Sequence, residues 1–268
     1  QCSGQRALPG QGLLQDPGFK VISLPKARIR RLLNVMGDFL FPGNCPVCEG
    51  PPYQDPNTYL CEACMDEVPW ICSSGCKLCG LPMSGLGFGG LTCAGCREGD
   101  PCFRSGRCFF VLDRTAKKLI HELKYHGVRG ILGDMPYWLD RAPGIRAFLK
   151  GSGLVPVPLH RKRIRSRGFN QSLWIAQALS KDMGEGTEVL ELLERKRDTP
   201  TQTRLDRSSR KANVKNAFAL KPGTCFNGGK PVVLIDDVFT TGATLDSCAQ
   251  VLVESGIDNV NVFALGHG

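Results

Sequence analysis

The chain has 268 residues, a net charge of +9 and 42% hydrophobic residues. That length exceeds the usual single compact core, and no run of about 18 apolar residues exists that could form a membrane-spanning helix. Twelve of the 14 cysteines fall within the first 108 positions, so a metal-held module followed by an α/β domain is expected.

Residues 1–28 are rich in Gly, Pro and Gln and carry no unbroken apolar core, and read as a disordered leader. Ile29 to Phe41 mixes Arg30 and Arg31 with Leu32, Leu33, Val35, Met36, Phe39 and Leu40 at helical spacing before Pro42. An amphipathic helix packed on the body is expected there; the alternative is attachment to a membrane surface.

A loop-rich, cysteine-rich stretch follows, and residues 29–108 are taken as one zinc-binding module. Eight cysteines form four Cys-x-x-Cys pairs, a spacing that suits metal chelation better than a disulfide scaffold and points to a reducing, cytoplasmic setting. Cys45 and Cys48 precede Cys61 and Cys64 by twelve residues, and Cys76 and Cys79 precede Cys93 and Cys96 by thirteen. Each half has the composition of a closed tetrahedral site, giving two structural zincs in sequential pairing; interleaved pairing is the alternative. The remaining cysteines, among them Cys108 and Cys248, are read as ordinary thiols.

Residues 109–268 are expected to form the second domain. Phe109–Leu112 reads as a strand and Thr115–Tyr125 as a helix with Ala116, Leu119, Ile120 and Leu123 on one face. Leu154–Leu159 reads as a strand whose two prolines place it near a sheet edge or at a strand end. Asn170–Met183 is a largely buried helix, and Val232–Ile235 is an unbroken apolar run typical of a central parallel strand. A helix over Thr244–Ser255 and a strand over Asn259–Leu265 complete a βαβ unit, so the domain is α/β with a largely parallel sheet.

The chemistry gathers after the central strand. Asp236 and Asp237 stand at its carboxyl end, where open α/β sheets bind ligands, and their carboxylates can accept hydrogen bonds from two sugar hydroxyls. Thr240, Thr241, Gly242, Ala243 and Thr244 then form a hydroxyl-rich turn opening a helix, where backbone N–H groups and the helix dipole favour a phosphate. Val155 to Lys221 carries 15 Lys and Arg against 7 Asp and Glu, a surplus that suits either a diphosphate or a nucleic acid.

The stretch Val232 to Leu245 resembles the phosphoribosyl-diphosphate signature of type I phosphoribosyltransferases. A narrower resemblance runs through the cysteine pairs, Leu123-Lys124-Tyr125-His126-Gly127, Val157-Pro158-Leu159, Arg167-Gly168-Phe169-Asn170-Gln171 and the signature loop. Together these are similar to the ComF family of competence-associated proteins. The resemblance implies a phosphoribosyltransferase-like fold behind a zinc finger, phosphoribosyl diphosphate with Mg²⁺ as ligand, and a part in bacterial uptake of transforming single-stranded DNA, in company with other competence proteins.

It also implies a pyrophosphate loop at His160–Gly168, with Arg167 and Gly168 as its best pair. Arg195–Lys215 corresponds to a mobile loop in which Arg204 or Arg210, or Lys211, could neutralise departing pyrophosphate. His160 is read as a turn residue, and no general base is named. Three functions stay open: a transferase with unknown acceptor, a sensor that binds phosphoribosyl diphosphate without chemistry, and a single-stranded DNA-handling protein. Against the last, aromatic residues are only 7% of the chain, so an extended base-stacking platform is not evident.

Overall fold

The computed structural model describes residues 44–50, 58–72, 75–83, 91–198, 216–224 and 229–268. The leader, the Ile29–Phe41 segment and Arg204, Arg210 and Lys211 lie outside them. Two short helices, α1 (Glu62–Glu67) and α2 (Ala94–Gly99), belong to the cysteine-rich module. Strand β1 (Gly106–Val111) leads into α3 (Arg114–His121), N-capped by the Asp113 carboxylate, which accepts from the Ala116 N–H. The helix widens into a π-helical turn at Glu122–His126, closed by Gly127 at φ 69°. A 3₁₀ turn, Arg129–Asp134, then precedes α4 (Met135–Arg141) and α5 (Gly144–Leu149).

The remaining elements are β2 (Gly153–Pro156), α6 (Arg161–Arg167), α7 (Gln171–Met183), β3 (Glu188–Val189), β4 (Leu193–Arg195), β5 (Phe218–Leu220), β6 (Val232–Phe239), α8 (Ala243–Glu254) and β7 (Val260–His267). The main sheet runs β1-β7-β6-β2-β3, and every neighbouring pair is parallel. β4 and β5 form a separate antiparallel pair. β6 is central, as its apolar run requires, with Val232 through Ile235 fully buried. β2 lies inside the sheet between β6 and β3 rather than at an edge; Pro156 is accommodated because the strand ends there.

Side chains alternate across the sheet with the period-two pleat of strands. Leu154, Val233, Ile235, Phe263 and Leu265 face one core with Trp138 and Ile175. Val155, Val232, Leu234, Val262 and Ala264 face the other with Leu245, Cys248 and Leu252 of α8. The cysteine-rich module contributes to both. Cys45, Leu60, Cys64 and Met65 join the first core, while Cys76, Cys79, Cys96 and Phe103 join the second.

The module is also hydrogen-bonded to β1. The Ile71 N–H donates to the Phe109 carbonyl, the Val111 N–H to the Pro69 carbonyl and the Gly106 N–H to the Lys77 carbonyl. Gly106 has no room for a side chain, since a Cβ there would stand 2.3 Å from the Leu78 carbonyl oxygen.

Candidate functional site

The cysteines assemble as two tetrads, Cys45/Cys48/Cys61/Cys64 and Cys76/Cys79/Cys93/Cys96, with the sulfurs of each within 4.8 Å of one another. Thiolates 2.3 Å from a tetrahedral zinc lie about 3.8 Å apart. The Cys48–Cys61 sulfurs are 3.5 Å apart and the Cys79–Cys93 sulfurs 3.8 Å. The residues therefore fit structural zinc, in sequential and not interleaved pairing. Outside the tetrads Cys108 and Cys248 are buried; burial pushes the Cys108 thiol up to about 12 and raises Cys248 well above the usual range. Such thiols are poor nucleophiles.

The acid pair sits where β6 leaves the sheet centre. Asp237 is only 4% exposed and its Oδ1 pairs with the Lys124 ammonium at 2.9 Å. Its Oδ2 is buried without a hydrogen-bond partner among the described residues. Asp236 is partly exposed by area, but its carboxyl is crowded by protein: its Oδ1 accepts from the Ser172 hydroxyl at 3.0 Å and the Asp237 N–H at 2.9 Å. Lost hydration, then the Asp237 charge, push its pKa up to about 7 against the opposing pull of Lys124 and the two hydrogen bonds.

Ser172 and Lys124 come from different elements. Ser172 stands in the first turn of α7, where the Asn170 side chain caps the helix by accepting from the Ser172 N–H. Lys124 projects from the π-helical turn. The sequence marks Lys124 only as part of a pattern and Ser172 only as a polar interruption in a buried helix. Their contact with the acids depends on tertiary placement, which leaves no local signal.

The turn after β6 opens α8 with Gly242 at φ 73°, where a Cβ would come within 2.7 Å of the Phe239 ring. Both the conformation and the space demand glycine. The Thr241 hydroxyl accepts from the Ala243 N–H at 3.4 Å. Thr240 is exposed and Thr241 and Thr244 are half-buried, so the hydroxyl-rich end of a twelve-residue helix meets solvent beside the acid pair.

The zinc module forms one wall of this turn. The Cys102 N–H donates to Asp246 Oδ1 at 2.8 Å, and the Phe103 and Phe239 rings meet edge to face at 6.2 Å. Between them lies a small cleft lined by residues of both, among them Cys96, Phe103, Phe239, Thr241 and Asp246.

The basic segment after β2 is a short helix, α6, with no buried side chain. His160 is its N-cap: the imidazole Nδ1 accepts from the Lys162 N–H. Arg167 donates to Gln171 Oε1 at 2.6 Å and lies over the Tyr125 ring at 5.4 Å, while exposed Gly168 ends the helix at φ 88°. Asp198, at the edge of the described residues, lies 3.6 Å from both His160 and Lys162. Arg195 of β4 is a further basic group: burial lowers its pKa, and the carboxylates of Asp236 and Asp198 are among the charges that pull it back up.

A central strand with two acids near its carboxyl end, a glycine-hinged turn and a parallel sheet behind a double cysteine tetrad define a phosphoribosyltransferase-like fold with an N-terminal zinc-binding module. Residues 36–97 match the double zinc ribbon domain family. The chain is 32% identical over 232 residues to DNA utilization protein YhgH of Salmonella typhi, spanning 84% of this chain and 96% of that protein. It is 25% identical to Competence protein F of Haemophilus influenzae, over 77% of this chain and 89% of that one. With Competence protein ComFC of Bacillus subtilis the identity is 26%, over 75% and 80%. The chain belongs to the ComF family.

Proposed function

We propose that the acid pair and the Thr240–Thr244 turn bind phosphoribosyl diphosphate with Mg²⁺, and that the protein acts in the uptake or utilization of DNA. The observation that carries the first half is Asp237 Oδ2. A buried carboxylate oxygen with no partner among the described residues is costly unless a donor reaches it, and a ribose hydroxyl or a metal-bound water is such a donor. Asp236 offers the neighbouring acceptor, Lys124 holds Asp237 in place, and the helix N-terminus takes the 5′-phosphate.

Mg²⁺ would neutralise the diphosphate charge. On this reading Arg167, Gly168 and the exposed face of α6 hold that anion, with Arg204 and Arg210 as proposed neutralising residues. Transfer of the ribosyl group to an acceptor is the chemistry such a site can perform, since positioning and charge stabilisation supply most of it. The relatives' names, competence and DNA utilization, support the second half.

Calorimetric titration of the zinc-loaded protein with phosphoribosyl diphosphate and Mg²⁺ tests the site. Binding is expected in the wild type and a loss of at least about tenfold in Asp237→Asn, since the substitution removes the carboxylate charge and leaves one acceptor oxygen where Lys124 and the ligand together need two. No binding to the wild type would sink the reading.

A second reading is favoured by one observation: α6 presents Arg161, Lys162 and Arg165 to solvent, a surface suited to single-stranded DNA phosphates. Several phosphate contacts would make DNA affinity fall steeply with salt, whereas a compact diphosphate site would respond weakly. DNA binding unaffected by salt would remove this reading.

A further inference from the structure

We propose that His121, Glu122 and His126 form a third metal site, for a borderline divalent transition ion such as Zn²⁺ or Ni²⁺, separate from both cysteine tetrads. The candidate donor atoms of these three side chains all lie within 4.8 Å of one another. His126 Nδ1 is 2.5 Å from one Glu122 oxygen and His121 Nδ1 is 3.7 Å from the other. Around a tetrahedral zinc, nitrogen and oxygen ligands at 2.0–2.2 Å lie about 3.4 Å apart. The two separations bracket that value, and the histidine side chains, 54% and 58% exposed, can adjust.

The backbone explains why the three converge. An α-helix would carry residues five apart to different faces, but the chain here closes a π-helical turn over Glu122–His126. That wider turn brings residues five apart together. The His121 and His126 rings consequently meet at 5.2 Å between centroids, and the Glu122 side chain, 16% exposed, reaches both Nδ1 atoms. Only four histidines occur in the whole chain, and two of them share this turn.

Two imidazoles and one carboxylate suit Zn²⁺, Ni²⁺ or Cu²⁺ and discriminate against Mg²⁺, which prefers all-oxygen octahedral surroundings. Three protein ligands leave a coordination position open to water or an anionic ligand, as the closed cysteine tetrads do not. The site also has a neighbour of consequence. Lys124, on the same turn, holds Asp237 at 2.9 Å, so an ion that clamps the turn stiffens the support of the acid pair. The metal site itself does not depend on the ligand proposed for those acids.

The test uses the full chain with both tetrads loaded with zinc and excess metal removed. Titration with Zn²⁺ by calorimetry, with metal content measured by mass spectrometry after desalting, is expected to reveal one further equivalent per chain. His121→Gln combined with His126→Gln should weaken that equivalent at least about tenfold while leaving the tetrad zinc content and the far-ultraviolet circular dichroism unchanged. Either of two results would overturn the proposal: no additional equivalent, which would leave the trio as a hydrogen-bonded ion pair with a ring contact, or an additional equivalent that survives in the double variant.

Discussion

Asp236 carries the clearest consequence at the scale of a single residue. Its folded-state pKa of about 7 stands above the ordinary 3.8, so between these values the folded protein holds a proton that the unfolded chain has released. Stability must then fall as pH rises through that window. Asp236→Asn keeps an oxygen for Ser172 and the Asp237 N–H but removes the titration. Urea denaturation at pH 5 and pH 8 should find the variant favoured over wild type by about 2–3 kcal/mol more at the higher pH; an equal difference at both would contradict the assignment. Asp236 is thus held in place against a solvation penalty, the kind of arrangement that marks a candidate functional site. The acids and the Thr-Thr-Gly turn were legible in the sequence because their chemistry is local: adjacent carboxylates at a strand end, a glycine where φ must be positive. Ser172 and Lys124 were not legible as partners, because each reaches the acids only once α7 and the π-helical turn are packed against β6.

At the scale of elements, periodicity identified the long pieces. The helices expected at Asn170–Met183 and Thr244–Ser255 form within a residue or so of their expected ends, and the Thr115–Tyr125 helix forms but widens into the π-helical turn over its last residues. No residue type announces that turn. Helix α6 was invisible as a helix because a stretch with no buried side chain has no apolar face to read. The contact between the zinc module and α8 was equally hidden, since Cys102 and Asp246 are 144 residues apart. Asp246→Ala removes the acceptor of the Cys102 N–H and a carboxylate from the first turn of α8, which should cost about 1–2 kcal/mol of stability. Chemical denaturation would check it, and an unchanged midpoint would mean that the module merely lies against the turn.

For the whole molecule, the two tetrads are divided between the two faces of one sheet, the first sharing a core with Trp138 and the second with α8. The four pairs declared the metal in the sequence; their division between the layers is a property of the assembled fold. Zinc removal by a strong chelator should therefore disturb more than the module. Near-ultraviolet circular dichroism is expected to fall, because Trp70 and Trp138 pack at 6.2 Å where the first tetrad meets the sheet; a spectrum unchanged by complete chelation would contradict this coupling.

The hydrogen bonds from Ile71, Val111 and Gly106 give that loss a further meaning. They occupy the outer side of β1, the end strand of the sheet, which would otherwise present unpaired backbone groups ready to pair with another chain. The ribbon is in effect a guard against self-association. A cell short of zinc would then lose this protein by clumping before it lost it by simple unfolding, and light scattering during chelation would register that order of events as particle growth ahead of the loss of helical signal.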